Sequence, residues 1–218
     1  MKASGIGVSD LQPLHDPKHS KSQTVVEGHE PCDVVEMIGS AASPIEVKIG
    51  DRFIVDHYDR CRTYQYLNSG WTPFYPPDRT VFDGRDSDSE HAEYMKVSSH
   101  TLIKLSNQLT FDAGTAIFCG SGKALDAIKD IGLCIDNIAA IYKQRPVGFS
   151  FTMAAKAFGA RGIDLEPSHL AMTRKFGTGH IISSPEKEPF SAVRALTRNF
   201  EGADKPIECR YQNERCWR

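Results

Sequence analysis

The pattern of apolar and polar positions changes character once along these 218 residues. Residues 1 to about 30 are rich in Ser, Lys, His, Gly and Pro with weak apolar spacing, which predicts loop with little strand. From Val34 to Leu105 the apolar residues come in short runs, Val34 to Ile38, Arg52 to Asp56, Ala92 to Val97 and Thr101 to Leu105, punctuated by Gly, Pro, Asp and Ser. That spacing predicts a small β-barrel. Near residue 110 the period lengthens: Phe111 to Ala116 and Lys123 to Ile128 are spaced as helices, with Asp112 placed near a helix start. Ile138 to Tyr142 is wholly apolar, as a strand buried on both faces reads. The turn Lys143-Gln144-Arg145-Pro146 leads into a helix of small residues, Val147 to Phe158. Then come a strand, Gly162 to Glu166, a helix, Leu170 to Phe176, and a strand, His180 to Ile182. Ser191 to Asn199 and Pro206 to Cys209 continue the alternation. Strand and helix in turn predict a βαβαβ unit with a parallel sheet, so the fold class is β followed by α/β.

Composition narrows the function classes. A formal charge of -2 provides no basic field for nucleic acid, and no apolar run approaches the roughly 18 residues of a membrane span. Met1-Lys2-Ala3-Ser4-Gly5 has no apolar stretch behind it and is not a secretory signal, so the cytoplasm is the expected compartment. The six cysteines are scattered through a chain too large to need stapling, which favours buried thiols or metal ligands over a disulfide framework. The acidic, Ser-rich stretch Asp83 to Glu90 lacks EF-hand spacing and reads as a solvated loop.

The chemistry-bearing stretch is Gly28-His29-Glu30, followed by an apolar run, Gly39, and the turn Gly50-Asp51-Arg52. It resembles the GHExxG signature and GDR turn of the zinc-containing medium-chain alcohol and polyol dehydrogenases, with Asp33 standing where that family has its first glycine after GHE. The likeness runs in register over roughly the whole chain. It implies a GroES-like β-barrel over residues 1–132 and an incomplete Rossmann domain over 133–218, the chain being truncated at both ends. Homo-oligomerisation through the Rossmann domain is a further implication.

What the resemblance implies for the site can be followed role by role. Gly7-Val8-Ser9-Asp10-Leu11-Gln12 falls where the family carries CGSDxH, so Gly7 replaces the first zinc thiolate and Gln12 the relay His, while Ser9 keeps the hydroxyl that bonds the substrate oxygen. His29 and Cys119 are the remaining zinc ligands, with Glu30 behind His29 as a catalytic-site carboxylate. Glu30 or Asp10 could supply a third donor. The family's structural-zinc cysteines correspond to Cys61, Tyr64, Leu67 and Tyr75, and one thiolate makes no tetrahedral site, so a structural zinc is expected to be absent. The GxGPVG nucleotide turn reads Lys143-Gln144-Arg145-Pro146-Val147-Gly148. Val147 and Gly148 are kept, whereas Arg145 puts a Cβ where the backbone should approach a pyrophosphate. The acid expected on the ribose of NAD is Glu166, or Asp164 with a shorter strand.

The reading that follows is a zinc-dependent dehydrogenase moving hydride from an alcohol or polyol to NAD, with these replacements leaving no measurable turnover by this chain alone. Two others stay open: a non-catalytic relative that binds a nucleotide or a partner subunit, and a quinone-reductase-like oxidoreductase that needs no zinc.

Overall fold

In a computed structural model of the chain, the residues described are 1–15, 25–42, 47–61, 63–68, 76, 79–142, 145–164, 170–176, 179–182 and 188–209. The chain forms two compact units, Met1–Cys119 and Gly120–Arg218. No helix among the described residues is long and apolar enough to cross a membrane.

The first unit contains β1 (Ala3–Ser4), α1 (Val8–His15), β2 (Pro31–Val34), β3 (Arg52–Val55), β4 (Tyr58–Asp59), α2 (Gln65–Asn68), β5 (Val81–Phe82), β6 (Leu102–Lys104) and α3 (Phe111–Ala116). A sheet of order β1-β2-β3-β6 is antiparallel throughout, with Ala3 opposite Cys32, Cys32 opposite Ile54 and Ile54 opposite Ile103. Strands β4 and β5 form a second antiparallel pair. The core under the larger sheet is Cys32, Ile54 and Leu105, with Leu109, Phe111 and Phe118 packed against it. Helix α3 starts where Thr110 Oγ accepts the Ala113 N–H at 3.1 Å, an N-cap satisfied by the side chain. Arg52 lays its guanidinium 4.3 Å from the centroid of Phe111, fixing the helix start over β3.

Four expectations about this unit need correction. The opening residues are not simply loop, since β1 and the eight residues of α1 lie among them. The strand expected at Val34 to Ile38 is instead Pro31–Val34, because its antiparallel partner β3 starts at Arg52 and the Gly50-Asp51 turn closes on Val35 through two 2.9 Å main-chain bonds. Ala92 to Val97 forms no strand; the pairing occurs just before it, where the Ser89 and His91 N–H groups donate to Val26 and Glu27. Asp83, Ser89 and Glu90 are buried while Arg85, Asp86 and Asp88 stay exposed, so the acidic stretch is a solvated loop only in its middle.

The second unit contains α4 (Gly122–Asp130), β7 (Ile138–Tyr142), α5 (Pro146–Ala157), β8 (Arg161–Asp164), α6 (Leu170–Phe176), β9 (His180–Ile181), α7 (Pro189–Leu196) and β10 (Lys205–Glu208). All neighbours in its sheet, of order β10-β7-β8-β9, are parallel, with Ala139 opposite Lys205 and Ala140 opposite Ile163. Because strand side chains alternate, β7 serves two layers. Ala139 and Ile141 join Ala124, Ile128, Leu133, Phe151, Ala155 and Ala160 on one face, and Ile138 joins Ile182 and Val193 on the other. Helix α4 packs along α5 within this second unit. Helix α7 begins at Pro189, where the Glu188 carboxylate accepts the N–H groups of Phe190 at 3.1 Å and Ser191 at 2.7 Å.

Candidate metal centre and nucleotide turn

His29 and Glu30 sit immediately before β2, in a segment that reverses direction at Gly28. The backbone there has φ +111°, and a Cβ would lie 2.5 Å from Glu90 Cγ, so the position requires glycine twice over. His29 is 4% exposed, and its Nδ1 lies 2.9 Å from Oδ1 of Asp10, a buried residue in the first turn of α1. The other Asp10 oxygen accepts the Gly7 N–H at 2.7 Å. A carboxylate accepting from Nδ1–H leaves the lone pair of the imidazole on Nε2 and fixes the ring plane, the usual support of a metal-binding His. Nε2 is 3.9 Å from Glu30 Oε1.

Cys119 arrives from the other end of the unit, on the π-helical turn Ile117–Ser121 that follows α3. Such widened turns recur at functional sites. One ligand atom each from His29, Glu30 and Cys119 all lie within 4.8 Å of one another, and this is the group among the described residues able to hold a metal ion. On a further side stands Gly7. A Cβ there would lie 3.1 Å from His29 Cε1 and 3.5 Å from its Nε2, so a side chain at this position would lie against the donor nitrogen. Nitrogen, carboxylate and thiol donors, with the imidazole oriented by Asp10, are the donor set that suits zinc. Ser9 is exposed beside Asp10 in the first turn of α1.

Two contributors went unnoticed in the sequence. Glu90 is 1% exposed, and its Oε1 accepts the Glu30 N–H at 2.8 Å and the Ser4 hydroxyl at 3.2 Å. Burial pushes its carboxyl up to about 8, against the opposing pull of those hydrogen bonds and with the Asp10 and Glu30 charges adding to the rise. His57 is also buried, its ring edge-on to His29 at 5.4 Å and surrounded by Tyr58, Phe82 and Phe118 at 4.4, 4.8 and 5.5 Å. It forms an aromatic wall beside the donors. Neither residue has a local signal, since Glu90 is one acid among several in a polar run and His57 follows a strand with no motif around it.

Of the positions matching the family's structural-zinc cysteines, Cys61 is exposed and its Sγ accepts from Thr63 Oγ at 3.6 Å, while Tyr75 lies outside the described residues.

In the second unit, β7 is flanked by β8 on one side and β10 on the other, so the strand order reverses at β7. Ligands of open α/β sheets bind at the carboxyl ends of strands at such a switch point. Lys143, Gln144 and Glu166 lie outside the described residues. Arg145 is exposed and extended at the start of α5, Pro146 takes the first helical position, Val147 is half-buried, and Gly148 is buried in the first turn. Ser150 Oγ, also buried, is 3.1 Å from Ser121 Oγ.

A β-rich unit carrying a His-Glu-Cys group, followed by a parallel sheet in the 3-2-1-4 order, has the medium-chain alcohol dehydrogenase fold, GroES-like and Rossmann in its two parts. No protein-family model matches the chain. It is 29% identical to the zinc-type alcohol dehydrogenase-like protein YphC of Escherichia coli K12, over 96% of this chain and 62% of that protein. It is 26% identical to an alcohol dehydrogenase of Geobacillus stearothermophilus, over 84% of this chain and 54% of that protein. Among solved structures, alcohol dehydrogenase TADH from Thermus sp. ATN1 superposes with a TM-score of 0.80 at 25% identity, covering 94% of this chain and 60% of that one. The chain thus spans less than two thirds of the length of these relatives. It is similar to zinc-type alcohol dehydrogenase-like proteins over nearly its whole length.

Proposed function

We propose that the chain carries the alcohol-binding metal site and the nucleotide turn of a zinc-dependent alcohol or polyol dehydrogenase, residues 1–132 being the catalytic domain and 133–218 the dinucleotide-binding domain. The convergence of His29, Glu30 and Cys119 within 4.8 Å carries this reading, because a zinc-free oxidoreductase has no use for a thiol, a carboxylate and a carboxylate-oriented imidazole at one point. These three side chains would hold the ion. A zinc there supplies Lewis acidity toward the alcohol oxygen. Asp10 orients His29, Glu30 adds negative charge beside Nε2, and His57 with its aromatic neighbours excludes water from one side. Ser9 is the hydroxyl assigned to the substrate proton. Val147, Gly148 and the first turn of α5 are assigned to the pyrophosphate of NAD, whose ribose falls to Glu166. Homo-oligomerisation is assigned to the second unit and residence to the cytoplasm.

A second reading, a metal-binding relative without turnover, is favoured by Gly7, which offers no thiolate, and by the Arg145 side chain at the nucleotide turn. One experiment separates the two. Purified protein reconstituted with zinc is assayed for NADH formation with secondary alcohols and polyols, alongside metal analysis of wild type and Cys119→Ser. Zinc retained by wild type and lost from the variant supports the shared metal site; zinc-dependent turnover then decides for the dehydrogenase, and its absence for the non-catalytic relative. A wild-type chain that holds no zinc overturns both.

A further inference from the structure

We propose that Glu90 is a positioning residue for the His29–Glu30 donor pair, its Oε1 holding the Glu30 main chain so that both side chains face Cys119. The inference rests on the reading of these three residues as metal donors. Both donors precede β2, and on the side of β1 the Glu30 carbonyl accepts the Gly5 N–H at 3.4 Å. What fixes them on the far side is the segment around Glu90. The Val26 N–H donates to Asp88 Oδ1 at 2.9 Å, the Ser89 N–H to Val26 O at 2.9 Å, and the His91 N–H to Glu27 O at 3.1 Å. These contacts lash 88–91 to 26–27 and leave Glu90 aimed at the next residues along. Its carboxyl passes Gly28, where the missing Cβ makes room, and Oε1 takes the Glu30 N–H at 2.8 Å together with the Ser4 hydroxyl at 3.2 Å. Ser4 belongs to β1, paired to Pro31 of β2, so a single oxygen ties the donor turn to the sheet edge.

This arrangement uses a buried, ionisable side chain where a hydrophobic residue would give more stability. Glu90 Oε2 is buried with no hydrogen-bond partner among the described residues, which a purely structural acceptor would not need. The polar acceptor is retained at that cost because removing it would leave the Glu30 N–H unsatisfied and the donor turn loose. Supports of this kind around metal ligands are worth about 10- to 100-fold in metal affinity.

The test is a cobalt(II) titration of the full chain, read by the thiolate-to-cobalt absorption that reports Cys119 and by the d–d bands that report coordination geometry. Glu90→Ala is expected to weaken cobalt binding about 10- to 100-fold and to shift the d–d bands. Glu90→Gln, which keeps the Oε1 acceptor, is expected to restore wild-type affinity and bands. Ser4→Ala removes one anchor of Glu90, keeps the test open should Glu90→Ala fail to fold, and is expected to weaken binding in the same direction by a smaller factor. Wild-type binding and bands in Glu90→Ala, or in Ser4→Ala where Glu90→Ala does not fold, overturn the inference and leave the metal reading standing. A Glu90→Gln variant as impaired as Glu90→Ala also overturns it. A wild-type chain that gives no thiolate-to-cobalt band overturns the metal reading itself, and this inference with it.

Discussion

The interiors of the two units are made of different material. Buried in the first are Asp10, His29, His57, Asp83, Ser89, Glu90, Thr101 and Thr115; the buried polar side chains described in the second are Ser150, Thr152 and Thr197, among Ile128, Leu133, Ile141, Phe151 and Ala155. Apolar burial stabilises in rough proportion to area and asks little of geometry. Buried carboxyls and imidazoles destabilise unless each finds its partner, so they persist where the partnership itself is useful. The second unit is therefore read as the part that holds its shape, and the first as the part that holds its chemistry.

The largest test of that contrast is Phe151→Ala, which opens a cavity where α5 packs on the sheet. It is expected to cost about 3–5 kcal/mol by denaturant unfolding. A loss below about 1 kcal/mol would mean that the apolar core is not what holds the second unit. In the first unit the matching change should affect binding rather than stability. Asp10→Asn keeps the shape but weakens the acceptor at His29 Nδ1, and zinc affinity by competition titration is expected to fall about 10- to 100-fold with little change in the unfolding midpoint. A fall in the midpoint without a change in affinity would make Asp10 a structural residue. The converse, Gly7→Cys, adds a thiol beside Nε2. With its Cβ 3.1 Å from Cε1, the ring must yield by a few tenths of an ångström, and zinc retained on purification is expected to rise by roughly tenfold in affinity or more. Unchanged zinc content would show that Gly7 is not the limiting side of the site.

Asp83 sharpens the comparison through pH. Burial pushes its carboxyl up, against the Ser87 hydrogen bond and with the Asp59 and Asp56 charges adding to the rise; Asp56 is likewise raised, mainly by burial. The folded state thus prefers the protonated acid. At low pH, below the ordinary carboxylate range near about 4, both folded and unfolded chains carry the proton and the group costs nothing. As pH rises from there through the raised folded value, the unfolded chain ionises first and stability is lost. Asp83→Asn never ionises, and its Oδ1 still accepts from Ser87. Its melting midpoint is expected to exceed that of wild type at pH 7 and to match it near pH 3. A gain that persists unchanged at low pH would rule out ionisation as the cause. The smallest effect is expected at Arg145→Gly, where removal of the side chain clears the backbone for a pyrophosphate but also removes an attractive charge. NAD affinity by calorimetry is expected to improve by no more than a few-fold, and a loss would show that the cation matters more than the clearance.

Most of the second unit was legible in the chain because its signals are local. Ile138 to Tyr142 could only be a strand covered on both faces, and β7 is that strand. Small apolar residues at helical spacing before Gly159 are α5, and the alternation that follows gives parallel neighbours. The resemblance also suggested that His29 and Cys119 face one point, and the fold brings both together with Glu30. The sequence by itself determined the alternation of strand and helix in the second unit and its parallel sheet, because periodicity is written within a few turns of chain. Only the tertiary structure decided how the donors are held. Asp10 reaches His29 across 19 positions and Glu90 reaches Glu30 across 60, from a short helix with little apolar pattern and from a stretch that reads as solvated loop. A hydrogen bond between residues so far apart leaves no period in either segment, since its partner is set by how the backbone folds back and not by neighbours in the sequence.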